Sequence, residues 1–207
     1  MQNSQIVSRC NCKFTVENLC ENKLKLMFTR DKNDVFHEHK EINFNIRREY
    51  IKIVEIEFYK ICSNSFTKFL NIFENLLEAK LRHNNLNEND VKQIDCPHLT
   101  VLDLCYNNIQ VIENDTFKKL AKLKCLELEN NPIKMIKKGA FDNFMDLEVV
   151  NLSYMHTNLE KNSKIEVIEE SAFNNLPKLE LKLTLPNTLL TDAFTIEGFL
   201  DAMNYSK

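Results

Sequence analysis

The chain has 207 residues, 43% of them hydrophobic and 28% charged, and a formal net charge of −3 at pH 7, the balance of a globular chain with room for one domain or one stack of small repeated units. Its two glycines, Gly139 and Gly198, exclude a phosphate-cradling loop and a dinucleotide fingerprint, which need several glycines close together so that backbone can approach phosphate. The slight acidity argues against nucleic acid as a partner, and no apolar run of roughly 18 residues is present to form a transmembrane segment.

Residues 1–50 open the chain. Met1 to Arg9 lacks the basic stretch and apolar run of a secretory signal. Of seven cysteines, at 10, 12, 20, 62, 96, 105 and 125, the first three cluster here. Lys23 to Phe28 and Ile42 to Ile46 read as edge strands. A repeat then occupies residues 51–178. It is clearest as Leu99, Leu102, Leu104, Asn107, Ile109, Ile112, Phe117, Leu120, and it recurs with the same spacings as Leu123, Leu126, Leu128, Asn131, Ile133, Ile136, Phe141, Phe144. Earlier copies open at Ile51, with Tyr59 in the asparagine position, and at Leu76, with Asn84 there. A later one opens at Leu147 and resumes at Ile165, Ile168, Phe173 and Leu176, after an insertion of about eight residues in the segment 154–163. About five units fit. Each begins with the two-residue period of a strand that buries one face, and the Phe117 to Leu120 spacing suits a short helix on the return path. One unit cannot bury its own leucines, but stacked units cover one another, so the product is a solenoid. Residues 179–207 carry Leu181, Leu183 and Leu185 in alternation, ended by Pro186. Phe194, Phe199 and Met203 then fall at the spacing of a short amphipathic helix over the last coil.

This pattern resembles the leucine-rich repeat, specifically the typical 24-residue extracellular subtype seen in arthropod secreted, cell-surface and Toll-like proteins. The resemblance implies an α/β solenoid: a curved coil with a parallel sheet on its concave face and short helical or irregular convex segments. It also implies that Asn84, Asn107 and Asn131 form a ladder whose amides satisfy backbone in adjacent coils. Residues 1–50 resemble the cysteine-containing N-terminal cap of that family. One cap cysteine is missing from the usual four, and the family's pairing then joins Cys10 to Cys20 and leaves Cys12 alone. A chain lacking its true N-terminus would explain both the short cap and the missing signal.

The register assigns outward-facing strand residues: Ile53, Glu55, Glu57; Glu78, Lys80, Arg82; Val101, Asp103, Cys105; Cys125, Glu127, Glu129; Val149, Asn151, Ser153. This mainly acidic face is expected to bind a protein partner of basic or mixed charge, with charge setting orientation and on-rate. The loop 154–163 is a second candidate. Sequons at Asn114, Asn151 and Asn204 suit a glycosylated, extracellular chain. The odd cysteine count suits the alternative, a reduced intracellular scaffold or adaptor. Cys105 and Cys125, four repeat positions apart, are about 13 Å apart along a strand and read as free thiols. No enzymatic role, cofactor or metal is expected: His37 and His39 flank Glu38 without a third ligand, His83, His98 and His156 are isolated, and no serine sits in a nucleophile elbow. Lysines 118, 119, 122, 124, 134, 137 and 138 belong to the turns and return path.

Overall fold

Strands form where apolar residues alternate with outward-facing ones, and the long sheet follows that alternation through the chain. The computed structural model describes residues 6–7, 13–20, 23–29, 48–57, 70–153, 165–173 and 176–182. In chain order the strands and helix are β1 (Ile6–Val7), β2 (Lys13–Cys20), β3 (Lys23–Thr29), β4 (Ile53–Glu57), β5 (Glu78–Lys80), α1 (Glu88–Val91), β6 (Val101–Asp103), β7 (Val111–Ile112), β8 (Cys125–Glu127), β9 (Met135–Ile136), β10 (Val149–Asn151), β11 (Val167–Ile168) and β12 (Glu180–Lys182). Nine of the strands form one sheet, ordered β1-β2-β3-β4-β5-β6-β8-β10-β12, and β11-β9-β7 form a second.

The first two pairings of the long sheet are antiparallel. Every pairing from β3 onward is parallel. Val54, Ala79, Leu102, Leu126, Val150 and Leu181 stand opposite one another in turn. The first five of these are wholly buried. The parallel stack also takes in strands beyond the repeat region. Lys23–Thr29 is an interior strand between β2 and β4, and not the expected edge, because Leu24 and Leu26 stand in register with Val54 and Ile56. Glu180–Lys182 likewise joins β10 in the register of the repeats.

The return path also differs from expectation. Its described part holds the four-residue α1, started by a capping box in which Asn87 accepts from Asn89 and Asp90 while Asp90 accepts from the Asn87 N–H. Elsewhere it consists of turns and the short parallel sheet, in which Ile112, Ile136 and Ile168 stand side by side. β-Branched pairs suit such two-residue strands. Between the sheets run Phe117, Phe141 and Phe173, with Phe141 stacked 4.9 Å from Phe173 and 6.3 Å from Phe117. Coil length varies without disturbing register: Val111 pairs with Met135 and Met135 with Val167, although the second of these steps along the chain is a third longer than the first.

Few glycines are needed because other residues take up left-handed backbone. His83 (φ 59°), Tyr106 (φ 57°) and Asn130 (φ 57°) do so at one repeat position, just past β5, β6 and β8. Gly139 (φ 70°) is the exception, since a Cβ there would meet Asp142 Oδ2 at 2.8 Å.

Candidate functional site

The side chains that shape the outward face depend on the asparagines behind it. Asn107 Oδ1 accepts from the backbone N–H groups of Asn84 and Leu86, both at 3.0 Å, while its Nδ2 donates to the carbonyls of Leu81 (2.8 Å), Leu104 (2.8 Å) and Cys105 (3.2 Å). Asn131 accepts from Ile109 N–H at 3.1 Å and donates to Leu104 and Leu128. Asn84 donates to Ile56 and Arg82, and its Oδ1 has no partner among the described residues. All three side chains are buried, and each amide ties the strand exit of its own coil to the coil before it.

On the outward face, Ile53, Glu78, Val101, Cys125 and Val149 form one register row, and Glu55, Lys80, Asp103, Glu127 and Asn151 the next. The strand of Glu57 continues the face by backbone position. Val101, Cys125 and Val149 are half-buried, as are Glu78, Lys80, Glu127, Glu129 and Asn151, while Arg82 is exposed. Three expected surface positions are corrected: Asp103, Cys105 and Ser153 are 6%, 0% and 6% exposed. Arg82 reaches over from the neighbouring coil and pairs with Asp103, whose other oxygen accepts from the Cys105 N–H at 3.1 Å. Ser153 turns back so that its N–H and hydroxyl both donate to Asn151 Oδ1. Alternation sets the direction of a side chain, not whether a neighbour covers it.

These contacts redistribute the charge of the face. The hydrogen bond that Arg82 donates to Asp103 raises the Arg82 pKa against the opposing cost of burial. Glu78 and Lys80 pair at 3.1 Å. Among the described residues no cation pairs with Glu127 or Glu129; Glu127 accepts from the Cys125 thiol at 3.7 Å and Glu129 from Asn130 Nδ2 at 2.9 Å. Glu127 and Glu129 therefore bring two carboxylates without a cationic partner among the described residues to one coil. Burial raises the thiol pKa of Cys105 and pushes that of Cys96 up to about 12. Both are thus poor nucleophiles at neutral pH.

Alternation also misses the strand exits. His83 and Tyr106, from adjacent coils, stack with centroids 4.3 Å apart and planes at 22°. The signal that could have found them is their place: His83, Tyr106 and Asn130 each precede a ladder asparagine.

On the return side Glu113 is paired with both Lys92 and Lys137, and Lys92 also reaches Asp115 at 2.9 Å. Hydrogen bonds from the two lysines, Lys137 first, lower the Glu113 pKa to about 2. The other lysines of this side include Lys119, paired with Asp95, Lys124, paired with Glu148, and Lys122, whose Nζ lies 3.3 Å from His98 Nδ1. Asn114 is exposed on a return-path turn, while Asn151 lies on the long sheet. Cys10, Tyr59, His37, His39, His156, the loop 154–163 and Asn204 lie outside the described residues, and only the backbone of Cys20 is described. Among the described residues no group of three or more metal-ligating side chains is gathered, and no helix is long and apolar enough to cross a membrane.

Comparison with known proteins agrees with this geometry. Residues 97–156 match the family model described as Leucine rich repeat. Leucine-rich repeat-containing G-protein coupled receptor 5 of Rattus norvegicus is 34% identical over 102 residues, covering 49% of this chain and 10% of its own. Osteomodulin of Bos taurus is 32% identical over 129 residues, covering 51% and 28%. The chain thus spans less than a third of the length of these two relatives. Among solved structures, that of a TLR13-ssRNA13 complex superimposes with a TM-score of 0.43 at 16% identity, over 64% of this chain and 21% of that one. The family match lies on the coils where the leucine, asparagine and phenylalanine positions recur most regularly, so residues 97–156 carry leucine-rich repeats.

Proposed function

We propose that the chain is a non-catalytic recognition module that receives a protein partner of basic or mixed charge on the outward face of the long sheet. The observation that carries this reading is the register-aligned face itself, on which Glu127 and Glu129 stand beside the row Val101, Cys125 and Val149 without a cationic partner among the described residues. Such a face is preorganised, so its side chains lose little freedom on binding, and its uncompensated charge selects the partner's sign. A secreted or cell-surface setting is part of the proposal. It is supported by the receptor named among the relatives and by the sequon at exposed Asn114.

A photo-crosslinking amino acid placed at Cys125, and in a separate variant at Lys118 on the return side, tests the face. A partner adduct is expected from position 125 and not from 118. The double substitution Glu127→Lys with Glu129→Lys should suppress that adduct while leaving the circular-dichroism spectrum unchanged. Equal labelling from both positions, or an adduct indifferent to the charge reversal, defeats the proposal.

A further inference from the structure

The sheet face ends at the strand exits, and the chain spends conformational energy there. Left-handed backbone suits asparagine, but it is unfavourable for a residue as bulky as tyrosine. His83, Tyr106 and Asn130 nonetheless adopt it at one position of three successive coils. The hydrogen bonds His83 N–H to Cys105 O (3.2 Å), Tyr106 N–H to Glu129 O (2.9 Å) and Asn130 N–H to Ser153 O (2.9 Å) hold these residues side by side. The buried asparagines that follow them, Asn84, Asn107 and Asn131, fix the backbone from behind.

The result is an aromatic shelf, His83 exposed and Tyr106 half-buried, stacked at 4.3 Å. Glu129 adjoins it through the Tyr106 backbone bond. One oxygen of that carboxylate accepts from Asn130, and the other has no donor among the described residues. Arg82, a cation electrostatically coupled to Glu129, is already committed to Asp103. A planar cation that can lie on a ring and offer two parallel N–H groups to a carboxylate fits this surface. Guanidinium does both, whereas an ammonium offers a point charge.

We propose that this strand-exit rim, Arg82, His83, Tyr106, Glu129 and Asn130, is where the partner anchors, and that the partner presents an arginine stacked on the His83–Tyr106 shelf and paired with Glu129. The inference rests on the reading that the outward face binds protein, and it narrows that reading to one chemistry. Tyrosine and arginine are the residue types that most often dominate binding energy at interfaces.

Random dodecapeptides displayed on phage and selected on the immobilised full chain provide the test. Selected peptides are expected to share an arginine, and replacing it with lysine should weaken binding about tenfold. His83→Ala with Tyr106→Ala should cost at least as much. Because that pair adjoins the ladder, Glu129→Gln serves as the second variant: it keeps an acceptor for Asn130 and removes the charge, and it should abolish the preference for arginine over lysine at an unchanged thermal midpoint. Peptides without a shared arginine, peptides that bind Glu129→Gln undiminished, or a selection that yields no binder overturn the proposal. Peptides that lose binding to Val101→Asp but not to the rim variants overturn the rim and leave the sheet-face reading standing; peptides indifferent to both sets count against both.

Discussion

Asn107 shows how much one side chain does in this fold. Its amide meets two backbone donors and three backbone acceptors, all inside the coil stack. Leucine of similar size would leave these groups buried and unmatched, at about 1–3 kcal/mol. Asn107→Leu is therefore expected to lower stability by at least that amount, measured by urea denaturation. Asn84→Leu should cost less, because Asn84 makes two bonds and its Oδ1 has no partner among the described residues. Equal losses would show that the two rungs are equivalent. The position of these asparagines was legible from spacing alone. The burial of Asp103 was not, since it depends on Arg82 arriving from the neighbouring coil.

Between elements, the return side is joined by charge as well as by the backbone of the short sheet. Glu113, next to β7, bridges Lys92 beyond α1 and Lys137 after β9, so three coils share one carboxylate. Its folded pKa, about 2, lies below the ordinary value of 4.5. The stability it contributes is thus fully present above about pH 4.5 and is lost as pH falls from there through about 2. Glu113→Gln should flatten the fall of the thermal midpoint across that window and change little of its slope at neutral pH. An identical acid profile in the variant would remove the bridge from the account. The long sheet was readable because leucines two residues apart recur over many coils. The short sheet was not, because strands such as Val111–Ile112 and Val167–Ile168 are too short to show a period. The left-handed exits at His83 and Tyr106 follow no apolar pattern at all, so the proposed anchor emerges only when adjacent coils are placed side by side.

For the whole molecule, compartment and covalent state are one question. Cys96 and Cys105 are buried and Cys125 is half-buried, all as free thiols. A single disulfide between Cys10 and Cys20, as the family resemblance implies, would leave roughly five of the seven cysteines reactive. Thiol titration of native protein after denaturation without reductant is expected to give that number. Seven would place the chain in a reducing compartment and end the secreted reading.

The long coil between β9 and β11 carries a broader consequence. The short sheet keeps its register across it, although the step from Met135 to Val167 is a third longer than the step from Val111 to Met135. Chain length at that point is therefore invisible to the pairing of the short sheet, and doubling the length of a loop costs only about 0.6 kcal/mol. The insertion at residues 154–163 is therefore expected to tolerate added chain. An epitope or a fluorescent domain inserted there should leave the unfolding midpoint nearly unchanged, whereas the same insertion between Leu104 and Asn107 should prevent folding. The stack can in this way acquire a new attachment while the register of both sheets stays as it is.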